Sequence, residues 1–123
     1  MANEIQLNTQ FSLATGLLTE RISEAGSFSL SDTTPSNVGG IPSIGFAAHE
    51  ALPMGDVAAA GWGFFKNLDA TNYVQIGVDN TGTFIPFLRL NAGEFCFVRL
   101  ATNAPYAKAN TAAVQLKYLI FDA

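Results

Sequence analysis

The amino-acid sequence predicts an all-β protein, an antiparallel β-sandwich or jelly-roll-like fold in a single domain spanning residues 1–123. Three observations lead to this prediction. Apolar and polar residues alternate with a two-residue period in several short runs, as in half-buried strands. Turn residues recur roughly every 8–12 residues, and no segment keeps the 3.6-residue period of an amphipathic helix. We expect about seven to nine short strands, as in a sandwich or small barrel.

The first fifteen residues contain the clearest alternation in the chain. Its apolar side carries four interface candidates: Ile5, Leu7, Phe11 and Leu13. Because chain termini fray unless something holds them, this strand either closes its own sandwich or pairs with a neighbouring subunit as an arm, with Gly16 as a hinge. A second alternating run, residues 27–31, follows a turn predicted at Gly26.

The middle of the chain is poor in charge. Residues 33–65 carry only Glu50 and Asp56 as charged side chains, and residues 33–45 contain enough Gly and Pro to predict an exposed loop. The further interface candidates Ile41 and Trp62 lie in this stretch. Two interpretations stay open: another subunit covers the stretch, or it packs on its own domain. Residues 60–66 read as a strand with Trp62 and Phe64 on one face, and a short helix is the alternative.

The second half of the chain predicts a hairpin and a closing strand. Residues 74–78 and 83–90 flank a turn at residues 79–82, and residues 94–100 follow a second turn. We expect these three strands to form a meander, with Pro86 at an edge or a bulge. Residues 101–112 read as a loop before a last strand at residues 114–120. The many aromatic residues of this half are expected mainly in the core.

Composition argues against several classes of function. Six Lys and Arg against ten Asp and Glu give a net charge of −4, which does not favour nucleic-acid binding. One cysteine excludes an intramolecular disulfide. The longest weakly polar stretch, residues 57–65, is too short for a membrane span, and the first residues show no secretion signal.

No motif for catalysis or metal binding is recognisable. The only histidine, His49, has Glu50 and Asp56 nearby in the sequence, and we interpret it as a surface or loop residue without a ligand role. Cys96 lies between two phenylalanines and is expected to be a packed thiol. The prediction is no enzyme activity, no metal and no cofactor.

Several short motifs of the second half carry a family resemblance. They are the strand from Asn67 to Gly77, the leucine-rich strand and turn from Phe84 to Glu94, the segment Pro105–Ala109 and the closing strand Leu116–Ile120. Together they resemble small virion structural proteins of tailed bacteriophages. The resemblance implies a β-sandwich or jelly-roll-like fold, an assembly role, and neither enzyme activity nor a cofactor. The first 66 residues contain no motif of this family.

Two classes of function are therefore expected. The first is a structural virion protein made in the host cytoplasm, such as a capsid cement or decoration subunit, which would bind the major capsid protein or other virion proteins and form a homo-oligomer, with a trimer as the first guess. A tail, neck or fibre-associated subunit is a variant of it. The second is a carbohydrate- or receptor-binding module in which Trp62 would be the residue to watch. Neither nucleic acid nor a membrane is an expected partner.

Overall fold

A computed structural model describes residues 4–30 and 36–122 of the chain. The chain divides into two compact units, residues 1–34 and residues 35–123. The described residues form antiparallel strands and contain no helix, so the all-β prediction is confirmed. No helix in these ranges is long and apolar enough to cross a membrane.

The first unit is a β-hairpin. Strand β1, Ile5–Ala14, pairs along its whole length with β2, Thr19–Phe28. At the tip the Thr15 hydroxyl oxygen accepts the Leu18 N–H at 2.9 Å, which closes the turn. Gly16 therefore belongs to the hairpin tip and does not separate an arm from the domain. The turn predicted at Gly26 is also wrong, because Gly26 lies inside β2 opposite Leu7.

The second unit is built from two antiparallel sheets, as expected of a sandwich. The first sheet has the order β5-β10-β7-β8 and the second the order β3-β11-β6-β9, with β4 also paired to β11. The strand bounds are β3 Asn37–Gly40, β4 Ser43–Ile44, β5 Glu50–Ala51, β6 Ala60–Asn67, β7 Val74–Asn80, β8 Thr83–Leu90, β9 Phe95–Arg99, β10 Tyr106–Ala109 and β11 Val114–Asp122.

The described hydrophobic core lies within the second unit, between Ile44 and Ile120. Val74, Ile76 and Ala107 come from the first sheet, and Phe65 and Leu116 from the second. Of the aromatic residues expected in the core, only Phe65 and Tyr118 are buried there. The expectation that most of these aromatic residues lie in the core is therefore wrong, because aliphatic residues and alanines make up most of the described core.

The predicted β7–β8 hairpin is confirmed. Its two turn residues, Thr81 and Gly82, both have positive φ, 49° and 91°, as a two-residue type I′ turn requires. Pro86 lies on an edge strand next to a register shift, as predicted. At Gly77 a Cβ atom would come within 2.1 Å of the Ile85 carbonyl oxygen, so the close approach of β8 there requires glycine.

The predicted meander is wrong. Strand β9 pairs with β6 in the second sheet and not with β8. The turn before it is closed by Gly93, with a φ of 79°, and by backbone hydrogen bonds to Asn67, which lead the chain across to the end of β6. The predicted loop at residues 101–112 also contains a strand, β10, which pairs with β7.

Candidate interaction surface

The outer side of the second sheet is lined by aromatic rings. Along β6, buried residues alternate with half-buried ones, so that Phe65 points into the core while Trp62 and Phe64 point outward. The register of β9 and β11 places Phe97 and Leu119 beside Phe64 on this outer side. We call the whole surface the aromatic face; its residues are Trp62, Phe64, Lys66, Phe95, Phe97, Arg99, Lys117, Leu119 and Phe121.

The rings of the aromatic face contact one another. Trp62 stacks on Phe97, with ring centroids 5.1 Å apart and an interplanar angle of 12°. Phe121 extends this row, 6.4 Å from Phe97, and Phe64 lies 6.3 Å from Phe95. Ring contacts at these separations are favourable and hold side chains in place. The face is therefore an ordered apolar surface.

Three cations border the rings. The Arg99 guanidinium lies 5.6 Å from the centroid of Trp62, and the Lys66 amine lies 6.0 Å from that of Phe95. Lys117 lies opposite Lys66 on the neighbouring strand. None of the described residues assigned to the face is acidic, although the whole chain has a net charge of −4. The face is therefore both apolar and positively charged.

The aromatic face is partly open to solvent. Phe95 is 67% exposed and Leu119 is 43% exposed. Single exposed apolar side chains are ordinary on a soluble protein, but a contiguous patch with a charged border is typical of an interaction site. Aromatic residues and arginine are also enriched at protein interfaces.

The hairpin presents a second apolar surface. Residues directly opposite each other in an antiparallel pair point to the same side, so the register sorts the hairpin into two faces. One face, called the hairpin face below, carries Ile5, Leu7, Phe11, Leu13, Ile22 and Phe28, together with Thr9, Glu20, Glu24 and Gly26. The opposite face is mainly polar. Phe11 and Ile22 are about half exposed, at 48% and 51%.

The six predicted interface residues fall in three places. Ile5, Leu7, Phe11 and Leu13 share the hairpin face, and Trp62 belongs to the aromatic face. Ile41 lies between β3 and β4, is 55% exposed and belongs to neither face. The charge-poor stretch is mixed: Ile44, Leu52 and Phe65 are core residues, whereas Ile41 and Phe46 are exposed.

The sequence indicates four of the six large apolar residues of the hairpin face, but only two residues of the aromatic face. The alternation places Phe64 beside Trp62. Phe95, Phe97 and Phe121 are among the aromatic residues that the sequence predicts in the core, and Leu119 is not distinguished by any pattern. The sequence does contain an indication of the aromatic face, because β9 and β11 carry large apolar residues at both odd and even positions. Such a pattern indicates a strand that is apolar on both sides.

His49 takes part in a small polar cluster on the other sheet. Its Nε2 atom lies 2.6 Å from Oδ1 of Asp79, and its ring stacks on Phe84 at a centroid distance of 5.3 Å. The hydrogen bond from His49 is the main cause that lowers the pKa of Asp79, and the Gly82 N–H adds to it. Glu50, its sequence neighbour, instead accepts the Gly45 N–H. Among the described residues, no group of three potential metal ligands is found.

Cys96 is half-buried in β9, and burial raises the pKa of its thiol. A raised pKa reduces the thiolate population at neutral pH, so the thiol is a poor nucleophile.

The side chain of Trp62 is poorly arranged for stacking on a sugar ring. Phe97 packs against it in a stacked geometry, and Arg99 lies over the ring. A depression of about 260 Å³, lined by residues that include Val78, Phe87 and Leu100, is mainly apolar. Sugar recognition needs polar groups that converge on hydroxyls. The Trp62 ring, with Phe97 stacked on it and Arg99 over it, is therefore poorly available to a sugar.

Three comparisons were made with known proteins: with family models, with curated proteins and with solved structures. None of them found a match.

Proposed function

We propose that this chain is a structural subunit of a phage particle, a capsid cement or decoration protein that acts through protein–protein contacts. The observation that carries the proposal is the aromatic face. The outer side of a surface sheet is usually polar, whereas here six large apolar side chains lie side by side on three strands. Leaving this surface in water costs free energy that a bound protein would recover.

The hairpin supports the same proposal. An isolated two-stranded hairpin is marginally stable in water, and this one keeps an apolar side on which Phe11, Ile22 and Phe28 are 42–51% exposed. Packing against another protein would stabilise it. The assignment to a phage particle comes from the resemblance carried by the sequence motifs between Asn67 and Ile120. In this proposal the two faces are the surfaces through which the chain contacts other proteins.

The aromatic face can be tested by adding charge at its two most exposed apolar positions. In a Phe95→Glu/Leu119→Glu variant, carboxylates would have to be buried in any contact, which is costly. We expect binding to phage particles to fall at least tenfold in co-sedimentation. The matched control is Ile85→Glu/Phe87→Glu, at residues on the other sheet that are 45% and 50% exposed. Full binding by the first variant would contradict the role of the face.

The virion assignment has its own experiment. Particles of the phage that encodes the chain would be purified and labelled with an antibody for electron microscopy. Antibody label over the head supports a cement or decoration subunit. Label on the tail, neck or fibres supports a tail, neck or fibre-associated subunit instead. A chain that is absent from all particles would overturn the proposed function.

A further inference from the structure

The hairpin face and the aromatic face carry opposite charges. Glu20 and Glu24 both lie on the hairpin face, among its apolar residues. The described charged residues of the aromatic face are all cationic: Lys66, Arg99 and Lys117. Opposite charges on two apolar surfaces favour their association and fix how one lies on the other.

The charges are also spaced alike. Glu20 and Glu24 are four residues apart on one strand, which corresponds to about 13 Å along a strand. On the aromatic face, Arg99 lies opposite Trp62, and Lys117 lies opposite Lys66. Trp62 and Lys66 are again four residues apart. We call the cross-strand rows that contain Arg99 and Lys66 the two basic rows. Each glutamate can therefore reach one basic row when the two sheets lie face to face.

The rows between the charges match in polarity. On the hairpin the row between Glu20 and Glu24 is Phe11 opposite Ile22. On the sandwich the row between the basic rows is Leu119, Phe64 and Phe97. In face-to-face packing these apolar rows would meet at the centre, with ion pairs on both sides. This arrangement of an apolar centre and a charged rim is that of a protein interface.

We propose that the hairpin of one copy docks on the aromatic face of a second copy. The inference rests on the proposed assembly function and names the partner of both surfaces. Pairing of two hairpin faces would place Glu20 and Glu24 against glutamates, and pairing of two aromatic faces would oppose lysines and arginines. Like-charge pairs are unfavourable, so contact between unlike faces is favoured over either self-pairing.

The dimensions are compatible with this contact. Strands of ten residues, as in β1 and β2, are about 33 Å long and can cover β6 and β11, which have eight and nine residues. Residues 29–36 connect β2 to β3 and can extend about 25–29 Å. This maximum extension exceeds the separation of about 10 Å between packed sheets.

Cross-linking of two single-cysteine variants tests the pairing. Both variants carry Cys96→Ala; one adds Phe11→Cys on the hairpin face, and the other adds Leu119→Cys on the aromatic face and a size tag. Packed sheets are about 10 Å apart, too far for a disulfide, so a short bismaleimide is used. We expect the mixed dimer to exceed either homodimer by at least fivefold. A predominance of homodimers, or no cross-linked dimer, would overturn the proposal.

Charge exchange provides a second measurement. A Glu20→Lys/Glu24→Lys variant should weaken self-association in sedimentation at least tenfold. Mixing it with a Lys66→Glu/Arg99→Glu/Lys117→Glu variant should restore the association. Ser23→Lys/Ala25→Lys, on the opposite face of the same strand, is the control and should associate as the unchanged chain does. If the exchanged variants fail to restore it, the inference is wrong.

The two proposals can fail separately. If Phe95→Glu/Leu119→Glu loses particle binding while the mixed dimer never forms, the face binds another virion protein and only the present inference is overturned. If the mixed dimer forms but the chain is found in no particle, the self-association stands and the virion assignment fails.

Discussion

The buried side chain of Asn67 forms hydrogen bonds with the backbone of three other residues. Its side-chain amide donates to the carbonyl oxygens of Asn72 and Leu90, at 2.8 and 3.1 Å, and its side-chain oxygen accepts the Asp69 N–H at 2.8 Å. The residue is fully buried. The motif that begins at Asn67 therefore specifies the fold, together with Asp69, whose carboxylate accepts the N–H groups of Thr71 and Asn72.

We expect Asn67→Ala to lower the free energy of unfolding by about 2–4 kcal/mol, because buried backbone groups lose their partners. Urea unfolding followed by fluorescence measures the change. Asn91→Ala, which removes one exposed side-chain hydrogen bond with Arg89, should change stability by less than about 0.5–1 kcal/mol. Equal effects of the two substitutions would contradict the role given to Asn67.

Thr81 has a left-handed backbone, with a φ of 49°, which is unfavourable for a β-branched residue. Asparagine tolerates this conformation and is preferred in type I′ turns. Thr81→Asn should therefore raise the free energy of unfolding by about 0.5–1 kcal/mol. Thermal and urea unfolding check the sign, and a loss of stability would contradict the assigned turn.

The Asp79–His49 pair predicts a dependence on pH. The pKa of Asp79 is lowered from its ordinary value of 3.8, first by the hydrogen bond with His49. A carboxyl group whose pKa is lower in the folded state adds stability above its unfolded pKa and loses it as the pH falls through the folded pKa. In His49→Ala, NMR titration should show the pKa of Asp79 moving up toward 3.8. If the pKa of Asp79 does not change in this variant, the hydrogen bond with His49 is not what lowers it.

At the scale of elements, alternation in the sequence located strands better than it located their partners. Strands β7 and β11 are predicted from alternation, in which apolar residues recur at every second position. Strand β8 is predicted as the strand that returns from the turn at residues 79–82. The partner of β9 was predicted wrongly, because Phe95, Cys96, Phe97 and Val98 are apolar on both sides and fit either sheet equally well. Strand β10 was missed because it has only four residues, two of them alanines, and its burial depends on tertiary pairing with β7.

The sequence predicts the division between the hairpin and the sandwich only in part. The apolar stripe of Ile5, Leu7, Phe11 and Leu13 is recognisable from the sequence. Its partner strand is predicted only at its end, in the alternating run of residues 27–31, because residues 19–26 alternate weakly and contain Glu20, Arg21 and Glu24. The aromatic face was anticipated only at Trp62 and Phe64. Sequence position alone does not tell on which side of a sheet a phenylalanine lies when both sides are apolar.

Because the described core residues lie between Ile44 and Ile120, removal of residues 1–34 should leave a folded sandwich. We expect this truncated chain to give a β-rich circular dichroism spectrum and a cooperative unfolding transition close to that of the full chain. It should no longer self-associate, because the hairpin face is gone. A truncated chain without cooperative unfolding would show that the hairpin stabilises the sandwich.

At the scale of the whole molecule, the charged rim predicts a dependence on salt. Salt screens exposed ion pairs, whereas apolar burial at the centre of the contact persists. Self-association measured by sedimentation should weaken several-fold between about 50 mM and 500 mM NaCl without disappearing. Association that strengthens with salt would indicate an apolar contact without the ion pairs of Glu20 and Glu24.

The position of β11 has a consequence for biosynthesis. This strand is translated after the others, yet it lies inside its sheet, between β3 and β6. The hairpin, whose pairing partners are near in the chain, can form on the ribosome within microseconds of its emergence. The aromatic face cannot exist until β11 has been synthesised and inserted. Docking of a hairpin therefore requires that at least one copy has already completed its second sheet.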